Sequence, residues 1–165
     1  MGFSKHDPQQ RPRRRGRGTI SRAQVDRNRL AVYARDHHEC LARWSGVPCD
    51  GPLTIQHSVA RGMGGSARFD GPEYLRTFCL GHNLLEAGNA EFAQLCERNG
   101  WRVPRLGYPD VDAVITRIPV RYPDGTWWLL DREGGRTETF QALWLWRQLG
   151  APWAGEVDQE GTLWP

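Results

Sequence analysis

ECLARWSGVPC (residues 39–49), LTIQHSVARGMGGS (53–66) and YLRTFCLGHN (74–83) are the stretches that decide how this chain folds. They set Cys40 and Cys49 on either side of a turn and bring Cys79-Leu80-Gly81-His82 about thirty residues later. Three thiols and one imidazole make a Cys₃His donor set of the kind a tetrahedral zinc ion accepts, and a loop-rich domain gains folding stability from such a staple. Cys79 and His82 have the C-x₂-H spacing of a knuckle, whereas Cys40 and Cys49 are separated as C-x₈-C, wider than a tight knuckle pair. Buried free cysteines are therefore the alternative reading of these thiols. Cys96 lies on an apolar helix face and reads as a buried thiol.

Working outward, residues 53–55 form a short β-segment ending at Gln56-His57, and residues 74–78 are its expected return strand. Between them, the three glycines of Arg61-Gly62-Met63-Gly64-Gly65-Ser66 let the backbone come close to another backbone. From about Gly81 the spacing of Leu84, Leu85, Ala87, Ala90, Phe92, Ala93, Leu95 and Cys96 predicts helix, interrupted at Gly88-Asn89 and closed by Asn99-Gly100. Upstream, Thr19 or Ser21 can cap a helix running to about Asp36. Its apolar stripe would be Ile20, Val25, Leu30, Val32 and Tyr33, with the arginines on the other side. Downstream, residues 101–103 and 118–120 read as short strands, and residues 127–131 follow the turn Pro123-Asp124-Gly125 as one side of a hairpin. Helical spacing resumes over 139–149. Seven of the eight tryptophans follow residue 100, and they read as a local core or partner surface rather than a base-stacking platform.

Groups able to support hydrolysis adjoin the cysteine frame. His57 ends the first strand, and Asn83 follows His82 at the start of the helix, so a hairpin and helix folded around zinc would turn both toward one cleft. An imidazole titrating near neutrality can take a proton from water. An amide carbonyl such as that of Asn83 suits a hard cation like Mg²⁺, and Arg61 could hold a phosphate oxygen pair. Asp70, Glu73 and Glu86 lie close by in sequence, and each reads first as a surface acid.

On these residues the chain resembles the HNH (ββα-metal) endonucleases, especially the small proteins of this type in phages of actinobacteria. Those show a cysteine pair, a strand ending in the catalytic histidine, an Arg-Gly-Met-Gly-Gly loop and a cysteine knuckle ending in His or Asn. The similarity spans about residues 35–135, more loosely through GWRVPR (100–105) and GTWWLLD (125–131). It implies an α+β fold: a small zinc-braced ββα-metal core with an N-terminal helix and a C-terminal strand/helix extension. It implies His57 as general base, and the positions of Gln56 and Asn83 as those of ligands of a catalytic Mg²⁺ or Mn²⁺, beside Arg61, the second catalytic candidate by its own chemistry. Cys40, Cys49, Cys79 and His82 match the structural zinc ligands. There are two departures. Gln56 stands where the family has a charged or imidazole ligand, which should lower metal affinity, and Tyr74 replaces the asparagine that braces the loop carrying the base.

Charge divides unevenly along the 165 residues. Residues 1–36 hold ten Lys/Arg against three acids, +7, while the remainder holds twelve against sixteen, −4. Residues 1–18 have little to bury and read as a disordered basic arm, with Arg11, Arg13, Arg14, Arg15 and Arg17 as DNA-binding candidates or, more plainly, as a solubilising tail. Residues 19–100 are then the nuclease core with its helix, and 101–165 a Trp-rich hairpin/helix extension packed on it. No apolar run is long enough for a membrane span or a signal segment, so the expected setting is soluble and cytoplasmic, the host cytoplasm if the chain is phage-encoded. In that reducing setting four cysteines suggest metal ligation rather than disulfides. The expected function is metal-dependent cutting or nicking of DNA. The alternatives are a weakly active DNA-binding protein of the same fold acting in phage packaging or assembly, possible packaging proteins being its partners, and a zinc-stabilised interaction module. No dimer signal is visible.

Overall fold

The computed structural model describes residues 20–60, 67–104, 108 and 110–151. The basic arm with its five arginines, the glycine loop with Arg61, and the last fourteen residues lie outside the described residues.

Helix α1 spans Arg22–Arg35, and Ser21 caps it by accepting a hydrogen bond from the Gln24 amide at 3.2 Å. The apolar stripe expected along it is buried in part, with Ile20, Val25 and Tyr33 half-buried. Of its members only Val32 is buried, and Leu30 is 67% exposed. Contrary to expectation, Arg35 turns inward, because the helix packs through its last turn, where the guanidinium finds acceptors: Asp36 Oδ1 at 2.7 Å and the carbonyls of Pro72 and Leu75 at 2.9 and 2.7 Å.

Strands β1 (Leu53–His57) and β2 (Leu75–Cys79) pair antiparallel, with Leu53 opposite Cys79 and His57 opposite Leu75. Helix α2 (Leu80–Gly88) starts directly after β2, and α3 (Ala90–Arg98) follows after a one-residue break. That break is Asn89. Its extended backbone ends α2, and its side chain accepts from the Phe92 amide at 2.8 Å to start α3. Gly100 follows at φ +70, where a Cβ would meet the Pro119 carbonyl oxygen at 2.0 Å. Only glycine fits there.

Residues 101–103, expected as a strand, are irregular. Trp101 and Val103 are both buried, but the backbone joins no ladder: the Trp101 amide donates to Cys96 O, and the Val103 amide to Ser58 O at 2.7 Å. Ser58 in turn donates to Tyr74 O at 2.8 Å, so the backbone just past β1 is bonded on both sides. A short helix α4 (Val111–Val114) leads to a three-stranded antiparallel sheet in the order β3 (Pro119–Arg121), β4 (Trp127–Leu130), β5 (Arg136–Glu138), and then α5 (Ala142–Gln148). α4 is too short, and β5 too short and polar, to give a periodic signal in the sequence.

One apolar cluster joins Leu41, Phe78, Phe92 and Trp101 to Val120 and Leu130 of the second sheet, and another gathers Val59, Phe69, Ile115 and Trp146. The tryptophans thus divide: Trp101 and Trp146 are fully buried, while Trp144 is exposed beside the exposed Phe140. Between the sheets lies a buried carboxylate, Asp36, which accepts from Arg35, from the Thr77 amide at 2.9 Å and from the Tyr122 hydroxyl at 2.6 Å. Burial would raise its pKa, but the Arg35 charge and the hydrogen bonds from Arg35, Tyr122 and the Thr77 amide outweigh it and hold it below the usual carboxylate value. Among the described residues no helix is long and apolar enough to cross a membrane.

Candidate metal centre and the surroundings of His57

Four donors converge where α2 begins. The Leu41 amide donates to Thr77 O at 2.9 Å, setting Cys40 against β2. The Leu80 and Gly81 amides donate to Pro52 O and Asp50 O, both at 2.9 Å, which draws the segment after Cys49 onto the start of α2. Gly81 permits that approach, since a Cβ there would lie 3.0 Å from Asp50 Cβ. His82 Nδ1 consequently lies 3.3 Å from Cys40 Sγ, 3.8 Å from Cys49 Sγ and 3.1 Å from Cys79 Sγ, and all four ligand atoms fall within 4.8 Å of one another. Zinc–sulfur and zinc–nitrogen bonds of ordinary length in a tetrahedron put sulfur and nitrogen about 3.6 Å apart. The observed distances bracket that value.

The far side of the imidazole fits the same reading. His82 Nε2 is 3.1 Å from Val47 O and 3.3 Å from Ser45 Oγ. A carbonyl can only accept, so Nε2 carries the hydrogen and Nδ1 presents its lone pair to the three sulfurs. Burial lowers the His82 pKa, favouring the neutral ligand form, against a smaller opposite pull from the Val47 carbonyl. Burial, with the neighbouring thiols adding to it, raises Cys40 to about 12, while Cys79 is brought below its usual value against its own burial by the His82 and Asp50 amides. Three adjacent thiols resist ionising together, and a cation among them removes that conflict. The site could therefore hold a metal such as zinc. Cys49 is exposed, and a pocket of about 300 Å³ lined by Glu39, Arg43, Cys49 and Leu53 gives the cluster a route to solvent.

Along β1 side chains alternate in direction. Thr54 and Gln56 meet α2: Asn83 Nδ2 donates to Thr54 Oγ1 at 2.9 Å, and Gln56 Nε2 to Glu86 Oε2 at 2.7 Å. Glu86 also meets Arg102 Nη1 at 3.2 Å, and Arg102 reaches Glu97 at 3.5 Å. His57 alternates to the other side and meets Asp70, with Nε2 2.9 Å from Oδ1 and the two side chains 18% and 13% exposed. The sequence-predicted pair Gln56 and Asn83 thus shares the α2 side of β1, while His57, expected to face one cleft with Asn83, makes its contact with Asp70 on the other side of the strand. Asp70 is itself held: its carbonyl accepts from Asn28 Nδ2 of α1 at 2.8 Å, and Asn28 accepts from Gln24 at 2.7 Å.

None of the three neighbouring acids is a surface acid. Glu86 is 12% and Asp70 13% exposed at the side chain, and Glu73 is buried near Arg132, its pKa raised by that burial. Glu86 follows Asn83 by three residues on a helix, a spacing that places both on one face and could have marked it. Nothing local marks Asp70, Asn28 or Arg102. Tyr74 is committed elsewhere, since its hydroxyl donates to Asp112, which also accepts from Arg68 Nε at 2.7 Å. Compared with known protein families, with curated proteins and with solved structures, the chain shows no match.

Proposed function

We propose that this chain is a metal-dependent DNA endonuclease or nicking enzyme of the HNH type. The observation that carries the reading is the Cys₃His cluster: it ties the start of α2 to the β1–β2 hairpin, so that His57, Gln56 and Asn83 belong to one small hairpin-and-helix unit. In that reading zinc in the cluster is structural, and a ββα-metal core sits within the α+β fold. The amide carbonyls of Gln56 and Asn83, with the Glu86 carboxylate beside Gln56, form an oxygen-donor set suited to Mg²⁺ or Mn²⁺, which when bound supplies charge stabilisation to a scissile phosphate. Glu86 returns to the site the negative charge that Gln56 lacks. His57 takes a proton from water as the water oxygen attacks phosphorus and the opposite P–O bond breaks. Arg61 and the arginines of the arm, Arg11, Arg13, Arg14, Arg15 and Arg17, are the proposed phosphate contacts, and DNA is the proposed partner.

A second reading is favoured by the Gln56–Glu86–Arg102 chain of contacts. Arg102 offsets the charge of Glu86, and the Gln56 amide is already engaged, so a DNA-binding protein with little cleavage, acting in phage packaging or assembly, is consistent with the same residues.

A plasmid-nicking assay with Mg²⁺ or Mn²⁺ compares the wild type with His57→Ala. Nicking by the wild type that falls by about 10²-fold or more in the variant supports the enzyme. Nicking that survives the substitution refutes the assigned mechanism. DNA binding without cleavage, lost when residues 1–18 are removed, establishes the second reading.

A further inference from the structure

His57 ends β1, where the Ser58 backbone is bonded to Tyr74 and Val103, while Asp70, which meets its ring, comes from a different segment. The Nε2–Oδ1 distance of 2.9 Å is an ordinary hydrogen bond, and both side chains are shielded from water. An ionised carboxylate can only accept, so the contact puts the hydrogen on Nε2 and the lone pair of the neutral ring on Nδ1. Asp70 in turn lies at the end of a connection from α1: Gln24 donates to Asn28, and Asn28 to the Asp70 carbonyl. Tyr74, bound to Asp112, is not available to hold the ring.

We infer that Asp70 is a positioning residue for His57, holding the ring so that Nδ1 is the nitrogen that takes the proton from water, and that α1 serves the site by holding Asp70. This rests on the reading of His57 as general base. The water proton moves to Nδ1, the Nε2 hydrogen stays on the ring, and the Asp70 charge stabilises the imidazolium that forms. The carboxylate changes neither its protonation nor its bonding in the step.

The test uses the full chain with zinc and ¹⁵N-labelled histidine. A slowly exchanging Nε2–H proton of His57, assigned by its absence in His57→Gln, is expected in the wild type. It should vanish in Asp70→Ala and persist in weakened form in Asp70→Asn, whose amide oxygen still accepts. In the nicking assay Asp70→Ala should lower kcat by about 10²-fold with plasmid affinity unchanged, and Asp70→Asn should recover part of the loss. A wild type without the protected proton overturns the inference whether or not any variant folds. So does an unchanged kcat in a folded Asp70→Ala. A protein that shows the protected proton but never nicks retains the Asp70–His57 pairing and loses the nuclease reading, so the two failures are distinguishable.

Discussion

Replacing Asp36 by asparagine tests how the C-terminal third is joined to the rest of the protein. The carboxylate is 1% exposed and accepts from Arg35 at 2.7 and 3.1 Å, from the Thr77 amide at 2.9 Å and from Tyr122 at 2.6 Å. Asp36→Asn keeps the shape, removes the charge, and turns an amide N–H₂ toward groups that are themselves donors. Arg35 stays buried without its counter-charge, a situation that costs about 3–5 kcal/mol. Against a total stability of about 5–15 kcal/mol this is a large fraction, and for a chain of this size it lowers Tm by about 6–20 °C. Urea unfolding followed by tryptophan fluorescence at fixed zinc measures it. Tyr122→Phe should cost less, about 1.5–3 kcal/mol, since it removes one hydrogen bond to the charge. The double variant should cost less than the sum, because both act on one carboxylate. A loss under about 1 kcal/mol in Asp36→Asn, or strict additivity, refutes the network. The same group gives a pH dependence. Its folded pKa lies below the ordinary 3.8, so its contribution is complete above that value and disappears as the pH falls through the lower folded one. Asp36→Asn should therefore flatten the acid limb of the stability profile.

Metal analysis should find about one zinc per chain, lost in Cys79→Ala together with much of the folding stability, because binding energy at such a site is folding energy; well-folded zinc-free protein contradicts the brace. Gly100→Ala should destabilise by more than about 1 kcal/mol by the same urea measurement, given the positive φ and the Pro119 carbonyl where its Cβ would go. Gln56→Asp should lower the Mg²⁺ or Mn²⁺ concentration needed for nicking; an unchanged requirement counts against Gln56 as a ligand of the catalytic ion.

The parts of the fold visible in the sequence are those encoded locally. The return strand into Cys79, the Asn89 break and the Cys79–His82 knuckle depend on neighbours a few residues away, while Cys40 and Cys49 are legible by residue type. What escaped depends on distant partners. Arg35 reads as a solvent arginine until Asp36 is fixed by Tyr122, 86 residues later. Asp70 and Glu86 read as surface acids because their partners, His57 and Gln56, meet them only once the hairpin has closed. Residues 101–103 carry strand-like side chains, and burial rather than ladder pairing accounts for that pattern. The partial burial of the α1 stripe has the same origin: Asn28 and the final turn carry the helix's polar contacts to the rest of the fold, while Leu30 faces water.

Ser58, bonded on one side to Tyr74 and on the other to Val103, bears on motion. The amide hydrogens of Ser58 and Val103 are both bonded to backbone carbonyls among buried residues and should exchange slowly. The Asp70 carbonyl accepts from Asn28, and the Asp70 amide donates to Ala67 O. In hydrogen exchange the backbone just past the histidine should thus be slow, a direct readout of how firmly the end of the strand is fixed.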